Sequence, residues 1–128
     1  ERLVWVASHD FEFNENEELP VAIFDENCIV RDLTLDGLKQ SRINYTTVFS
    51  SPVLDNIADA VYNGIGISLL PESLAPDSKT MVVPRRILDC KTPLTMNLIC
   101  SLSMDEAIVN IVSKYVKFAF TNSLDNAK

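Results

Sequence analysis

With 128 residues, 47% of them apolar, the chain has the size and composition of one compact domain with a real core. It contains no run of about 18 apolar residues that would cross a membrane, and no basic-then-apolar leader opens it. A net charge of −7 repels phosphate backbones, so this segment is not expected to bind DNA itself.

The elements follow in chain order. Leu3 to Ala7 is apolar and β-prone, a first strand. His9 to Glu18 is a polar connection whose acids, Asp10, Glu12, Glu15, Glu17 and Glu18, read as solvated, since they lack EF-hand spacing and a turn glycine. Pro20 to Phe24 is a continuous apolar run of the kind covered on both faces of a parallel sheet. Asn27 is placed to cap a helix from Cys28 to about Lys39, with Val30, Leu33, Gly37 and Leu38 on one face. Ile43 to Phe49 is rich in β-branched and aromatic residues, a strand. Ser51 as N-cap and Pro52 in the first helical position open a second helix. Its stripe is Leu54, Ile57, Ala58 and Val61, and Asn63-Gly64 ends it. Ile65 to Leu70 is a strand stopped by Pro71, and Lys79 to Val83 and Thr95 to Ser101 are two more. Ser103 to Glu106 has the form of a capping box. It opens a helix to about Phe120 that should bury Ile108, Ile111, Val112, Tyr115 and Phe118. The order is β, then βαβαβ, then ββ, then α. Residues 20–70 alone predict two right-handed crossovers on a parallel sheet.

The chemistry-bearing residues are few. Cys28, Cys90 and Cys100 are odd in number and lack CxxC spacing, which fits neither a disulfide framework nor a zinc site and points to a reducing cytoplasm. His9 is the only histidine, it lies in a polar connection, and no GxSxG elbow exists, so a nucleophile–histidine constellation is not expected. Gly64 and Gly66 follow a helix and precede a strand, the wrong order for a dinucleotide fingerprint. The basic doublet Arg85-Arg86 reads as a solvated loop. The chain opens on Glu1 rather than Met, so a fragment of a longer protein is expected.

Three stretches carry a family pattern. They are Leu3-Val4-Trp5-Val6-Ala7-Ser8; Leu19-Pro20-Val21-Ala22-Ile23-Phe24 followed by Cys28-Ile29-Val30-Arg31; and Ala60-Val61 with Asn63-Gly64-Ile65-Gly66-Ile67-Ser68-Leu69-Leu70-Pro71. In these segments and their spacing the chain resembles the C-terminal effector-binding domain of LysR-type transcriptional regulators. The acidic 10–18 departs from the family's longer basic or Pro-rich loop, and 85–93 has no strong signature. The resemblance implies an α/β, periplasmic-binding-protein-like regulatory subdomain with a mostly parallel sheet and flanking helices. Residues 1–8 would be a crossing strand from a missing first subdomain, and 9–94 the second subdomain. Residues 95–128 would be the return crossing strand and a C-terminal helix belonging to the first subdomain. It further implies an effector-sensing domain of a cytoplasmic homo-oligomer. Such a domain binds a small molecule between subdomains and acts on DNA only through a separate, missing helix-turn-helix domain, with no catalysis, metal or cofactor. A solute-binding receptor of the same architecture is the alternative.

In such sheets ligands bind beyond the carboxyl ends of the strands. That edge carries Cys28, Arg31, Phe49, Ser50, Ser51 and Pro52. Helix N-termini there attract an anion, Ser50 and Ser51 add hydroxyls, Phe49 adds an apolar wall, and Arg31 can grip a carboxylate bidentately. The expected effector is a small organic anion. Bland readings stand beside each role: plain capping for Ser51 and Asn27, an ion pair for Arg31. For Cys28, packing stands against redox sensing by a thiol at a helix N-terminus, and Cys100 reads as a small buried hydrophobe.

Overall fold

The computed structural model describes residues 1–14, 16–75, 80–85, 87–88, 93–95 and 97–125, with side chains through residue 119. Glu15, Lys79, Arg86, Cys90 and Met96 lie outside the described residues. The chain divides into two compact units, residues 1–94 and 95–128.

The first unit contains β1 (Leu3–Ser8), β2 (Leu19–Phe24), α1 (Ile29–Ser41), β3 (Tyr45–Ser51), α2 (Leu54–Tyr62), β4 (Ser68–Pro71) with a 3-10 turn after it, and β5 (Thr80–Val82). β2 and β3 pair in parallel from Leu19 opposite Tyr45 to Phe24 opposite Ser51, with Val48 bulged out of register. β1 runs antiparallel between β4 and β5. Ile67, just before β4, forms a parallel bridge to Val21; Ala22 N–H donates to its carbonyl at 2.8 Å and its own N–H donates to the Pro20 carbonyl at 2.9 Å. These bonds stitch the ladders into the order β3-β2-β4-β1-β5, with the predicted parallel core in β2, β3 and the start of β4.

Both faces of the sheet are covered, which is why β1 is buried along its whole length and reads as an unbroken apolar run. Leu3, Trp5 and Ala7 join Leu19, Val21, Ile23, Ile67 and Leu69 on one face. Val4 and Val6 join Ala22, Phe24 and Leu70 on the other. α1 packs Leu33, Leu35 and Leu38 into the first cluster, with Val30 at its start reaching the second. α2 buries Ile57, Ala60 and Val61 in the second. The helices therefore cover opposite faces, as expected where a chain winds away from a central strand in both directions.

Several boundaries differ from the expectation, each through a hydrogen bond that spacing does not reveal. Arg42 takes the left-handed conformation at the end of α1 (φ 55), and the Ile43 N–H donates back to the Leu38 carbonyl. Ile43 is thus committed to closing the helix, and β3 starts two residues later. β3 also runs on through Ser50 and Ser51, because Phe24 supplies a partner for Ser51. Ser51 is accordingly a strand residue, and Val53 occupies the N-cap position of α2; Pro52 lies before the helix rather than in its first turn. Asn27 is left-handed (φ 67), and Cys28 holds the N-cap position of α1 without a side-chain cap bond.

In the second unit, the expected return strand is not formed: residues 95 and 97–101 have no regular structure. A strand needs a ladder partner for its backbone groups, and β1 already pairs with β4 over Leu3–Val6 and with β5 over Val6–Ser8. α3 spans Glu106–Asp125. Asp105, not Ser103, begins it: its carboxylate accepts from the Ala107 N–H at 2.8 Å and its carbonyl from the Val109 N–H at 3.0 Å. The Ser103 hydroxyl is bonded to that of Ser101 instead. The face expected to be buried is exposed at Ile108, Ile111, Val112, Tyr115 and Phe118.

Candidate functional site

The chain leaves β2 toward β3 through α1 and returns across it to β4 through α2. The crossovers diverge at β2, which makes the carboxyl ends of β2 and β4 the edge where such sheets take ligands. This edge carries Asp25–Cys28 and Pro71–Ser73, with Ser50–Val53 beside them; the Asp25 N–H donates to the Ser51 carbonyl at 3.3 Å, which holds the β2 and β3 ends level.

Each residue singled out in the sequence has a definite place at or beside this edge. Arg31 is half-buried one turn into α1, and its Nη1 donates to the Phe24 carbonyl at 2.7 Å. The guanidinium is pinned to the end of β2 by one of its five N–H donors, and it makes no other hydrogen bond among the described residues. Ser51 is buried; its Oγ accepts from the Val53 N–H at 3.1 Å and from Asn56 Nδ2 at 3.0 Å, while its own hydroxyl hydrogen can still be donated. Ser50 and Pro52 are exposed. Phe49 and Cys28 are half-buried and pack against the second core cluster, so part of each belongs to the core. Arg2, across from Pro71 at the same end of the sheet, is tied by two bonds to the Glu72 carboxylate, whose hydrogen bond and charge raise the guanidinium pKa above its ordinary value. That cation is already neutralised.

The N-termini of α1 and α2 have no side-chain cap bond. Their first-turn amides and dipoles therefore attract an anion, opposed by the first-turn acids Asp32 and Asp55. Two residues absent from the sequence-based set complete the edge: Ile29, 59% exposed, and Val53, 48% exposed. A β-branched residue at each helix start, where a polar cap is usual, was the available hint. The two cysteines described, Cys28 and Cys100, are free. The described residues include no group of three or more His, Cys, Asp or Glu able to hold a metal ion, and no helix long and apolar enough to cross a membrane.

Residues 1–105 match the family described as LysR substrate binding domain. The chain belongs to this family. The LysR substrate-binding domain has the α/β, periplasmic-binding-protein-like fold, and membership points to a regulator rather than an enzyme. Among solved structures, the chain is similar to HinK, a LysR family transcriptional regulator from Pseudomonas aeruginosa, with 19% identity and a TM-score of 0.47, over 73% of this chain and 34% of that one. It thus spans about a third of that regulator's length. No curated protein gives a match. The LysR-like Asn63–Pro71 segment has a clear structural meaning here. Gly64 is left-handed (φ +69), and Gly66 lets the bulged Val48 and the β2 backbone close over it.

Proposed function

We propose that this LysR-family chain is an effector-sensing domain that binds a small organic anion at the strand ends and thereby modulates DNA binding by a separate domain. In this reading residues 1–8 cross between subdomains, 9–94 are the second subdomain, and 95–128 return toward the first. The regulator acts as a cytoplasmic homo-oligomer. Family membership favours this over a solute receptor. The anion assignment is supported by two helix N-termini without side-chain cap bonds at this edge of the sheet, with the Arg31 guanidinium and the Ser51 hydroxyl beside them. A bound carboxylate would take the first-turn amides and Arg31 as donors, with Ile29 and Val53 against its apolar portion and Ser50 and Pro52 at the rim. Closure follows only if the ligand binds one arrangement of the subdomains more tightly than the other.

The test is a thermal-shift screen of small carboxylates against the intact regulator, followed by titration of the hits. Arg31→Ala and Ser51→Ala should each weaken binding about tenfold or more, the cost of a lost charge-assisted hydrogen bond. Hits whose affinity is unchanged in both variants would refute the site.

A further inference from the structure

A second cavity, of about 660 Å³, lies at the opposite end of the sheet from the strand tops. Its walls are the turn before β2, with Glu17 and Glu18, and the turn between α1 and β3, with Arg42; Phe13, Ile43 and Ile87 supply its apolar surface. It sits at the amino ends of β2 and β3, roughly 20 Å from Phe24 and Ser51 at the strand rise of about 3.3 Å per residue.

Several contacts hold the lining residues. Phe13, Ile43 and Ile87 pack against the first core cluster. The Leu19 N–H donates to the Asn44 carbonyl at 2.9 Å, joining the two walls. The Arg42 N–H donates to the Lys39 carbonyl at 3.2 Å. Asn14 holds the acidic turn, accepting from Asn16 N–H at its side chain and from Glu17 N–H at its carbonyl. Yet the charges on this frame are not joined. Among the described residues, Arg42 makes no ion pair or side-chain hydrogen bond with Glu17 or Glu18. A guanidinium and two carboxylates facing one cavity across apolar surface match a molecule that carries both complementary charges and an apolar body. The volume is in the range of small-molecule sites.

We propose that this cavity is a second ligand site, separate from the strand-top edge, for a small zwitterion with an apolar side chain, the chemistry of a free α-amino acid. Arg42 takes the carboxylate in bidentate fashion, Glu17 and Glu18 take the ammonium, and Phe13, Ile43 and Ile87 take the side chain.

The experiment is a titration of the ¹⁵N-labelled 128-residue chain with L-leucine, L-methionine and L-phenylalanine, followed by backbone amide shifts. N-acetyl-L-leucine, which lacks the ammonium, and L-leucinamide, which lacks the carboxylate, serve as single-charge comparisons. The expected result is saturable shifts around Phe13, Glu17, Ile43 and Asn44 with at least one of the three amino acids. Removing either charge from leucine should weaken its binding about tenfold or more. Arg42→Gln should abolish the preference for leucine over leucinamide, and Glu17→Gln with Glu18→Gln the preference over N-acetyl-leucine. All three positions are exposed, so the variants should keep the wild-type spectrum elsewhere. Three results would each overturn the proposal: no shifts near the cavity with any of the three amino acids into the millimolar range, shifts confined to the Phe24–Ser51 end, or equal binding of the single-charge analogues. The first and third of these outcomes leave the strand-top site untouched, since it shares no residue with this one; the second would place amino-acid binding at the strand tops instead.

Discussion

Gly66 stands where neighbouring atoms leave no space for a side chain. A Cβ there would lie 2.9 Å from Val48 Cγ2, 3.0 Å from the Pro20 carbonyl oxygen and 3.2 Å from the Ala22 nitrogen. Two of the three are backbone of β2 and cannot step aside, so Gly66→Ala should destabilise the first unit by about 1–3 kcal/mol, read as a lower urea midpoint. At Gly64 the cost is conformational, because φ is +69°; Gly64→Ala should lose about 1–2 kcal/mol. The paired serines make a sharper contrast. Ser51→Ala removes a buried acceptor from Val53 N–H and Asn56 and should cost about 1–2 kcal/mol. Ser50→Ala, at an exposed position, should stay within about 0.5 kcal/mol of wild type. Equal effects at the two positions in denaturant titrations would contradict the assigned hydrogen bonds.

At the scale of elements, the helix starts show how a cap is chosen. Near α3 the chain offers both Ser103 and Asp105, and each is a good capping residue. Asp105 wins in the fold because its carboxylate reaches the Ala107 N–H while the Ser103 hydroxyl is engaged with Ser101. Asp105→Ala should therefore cost α3 about 1 kcal/mol and lower its ellipticity, whereas Ser103→Ala should leave ellipticity unchanged. At α1 the stripe read from spacing was right at Val30, Gly37 and Leu38, which are buried; Thr34 is buried as well. Its hydroxyl donates to the Val30 carbonyl at 2.7 Å, so a polar residue sits on the apolar face with its hydrogen bond made inside the helix.

For the molecule as a whole, the question is what covers α3. Its stripe is 52% exposed at Ile108, 56% at Ile111, 69% at Tyr115 and 64% at Phe118, and a contiguous apolar face of this kind marks an association surface. The 14.3 kDa chain should accordingly show a mass in light scattering that rises with concentration, and Ile111→Glu with Tyr115→Glu should return it to the monomer mass. A wild-type monomer at about 100 μM, a concentration where micromolar contacts would form, would show that the stripe does not self-associate.

Much of this organisation is legible in the amino-acid sequence. The apolar runs Leu3–Ala7 and Pro20–Phe24, the β-branched stretch before Phe49, the three-and-four spacing in both helices and the Asn63-Gly64 stop are local properties, set by each residue's own conformational and burial preferences. They determine by themselves that strands and helices alternate from Leu19 through Leu70 and that Arg31 and Ser51 lie near the strand ends. Family likeness was legible for the same reason, since it rests on those segments. Only the tertiary structure decided that β4 lies between β2 and β1, that Val48 bulges over Gly66, that Val53 and Asp105 rather than Ser51 and Ser103 stand at helix starts, and that residues 95 and 97–101 form no strand. The strand pairings and the bulge turn on which distant backbone group is within hydrogen-bond reach, and the helix starts on which nearby side chain meets which amide or hydroxyl; residue spacing carries no record of either distance.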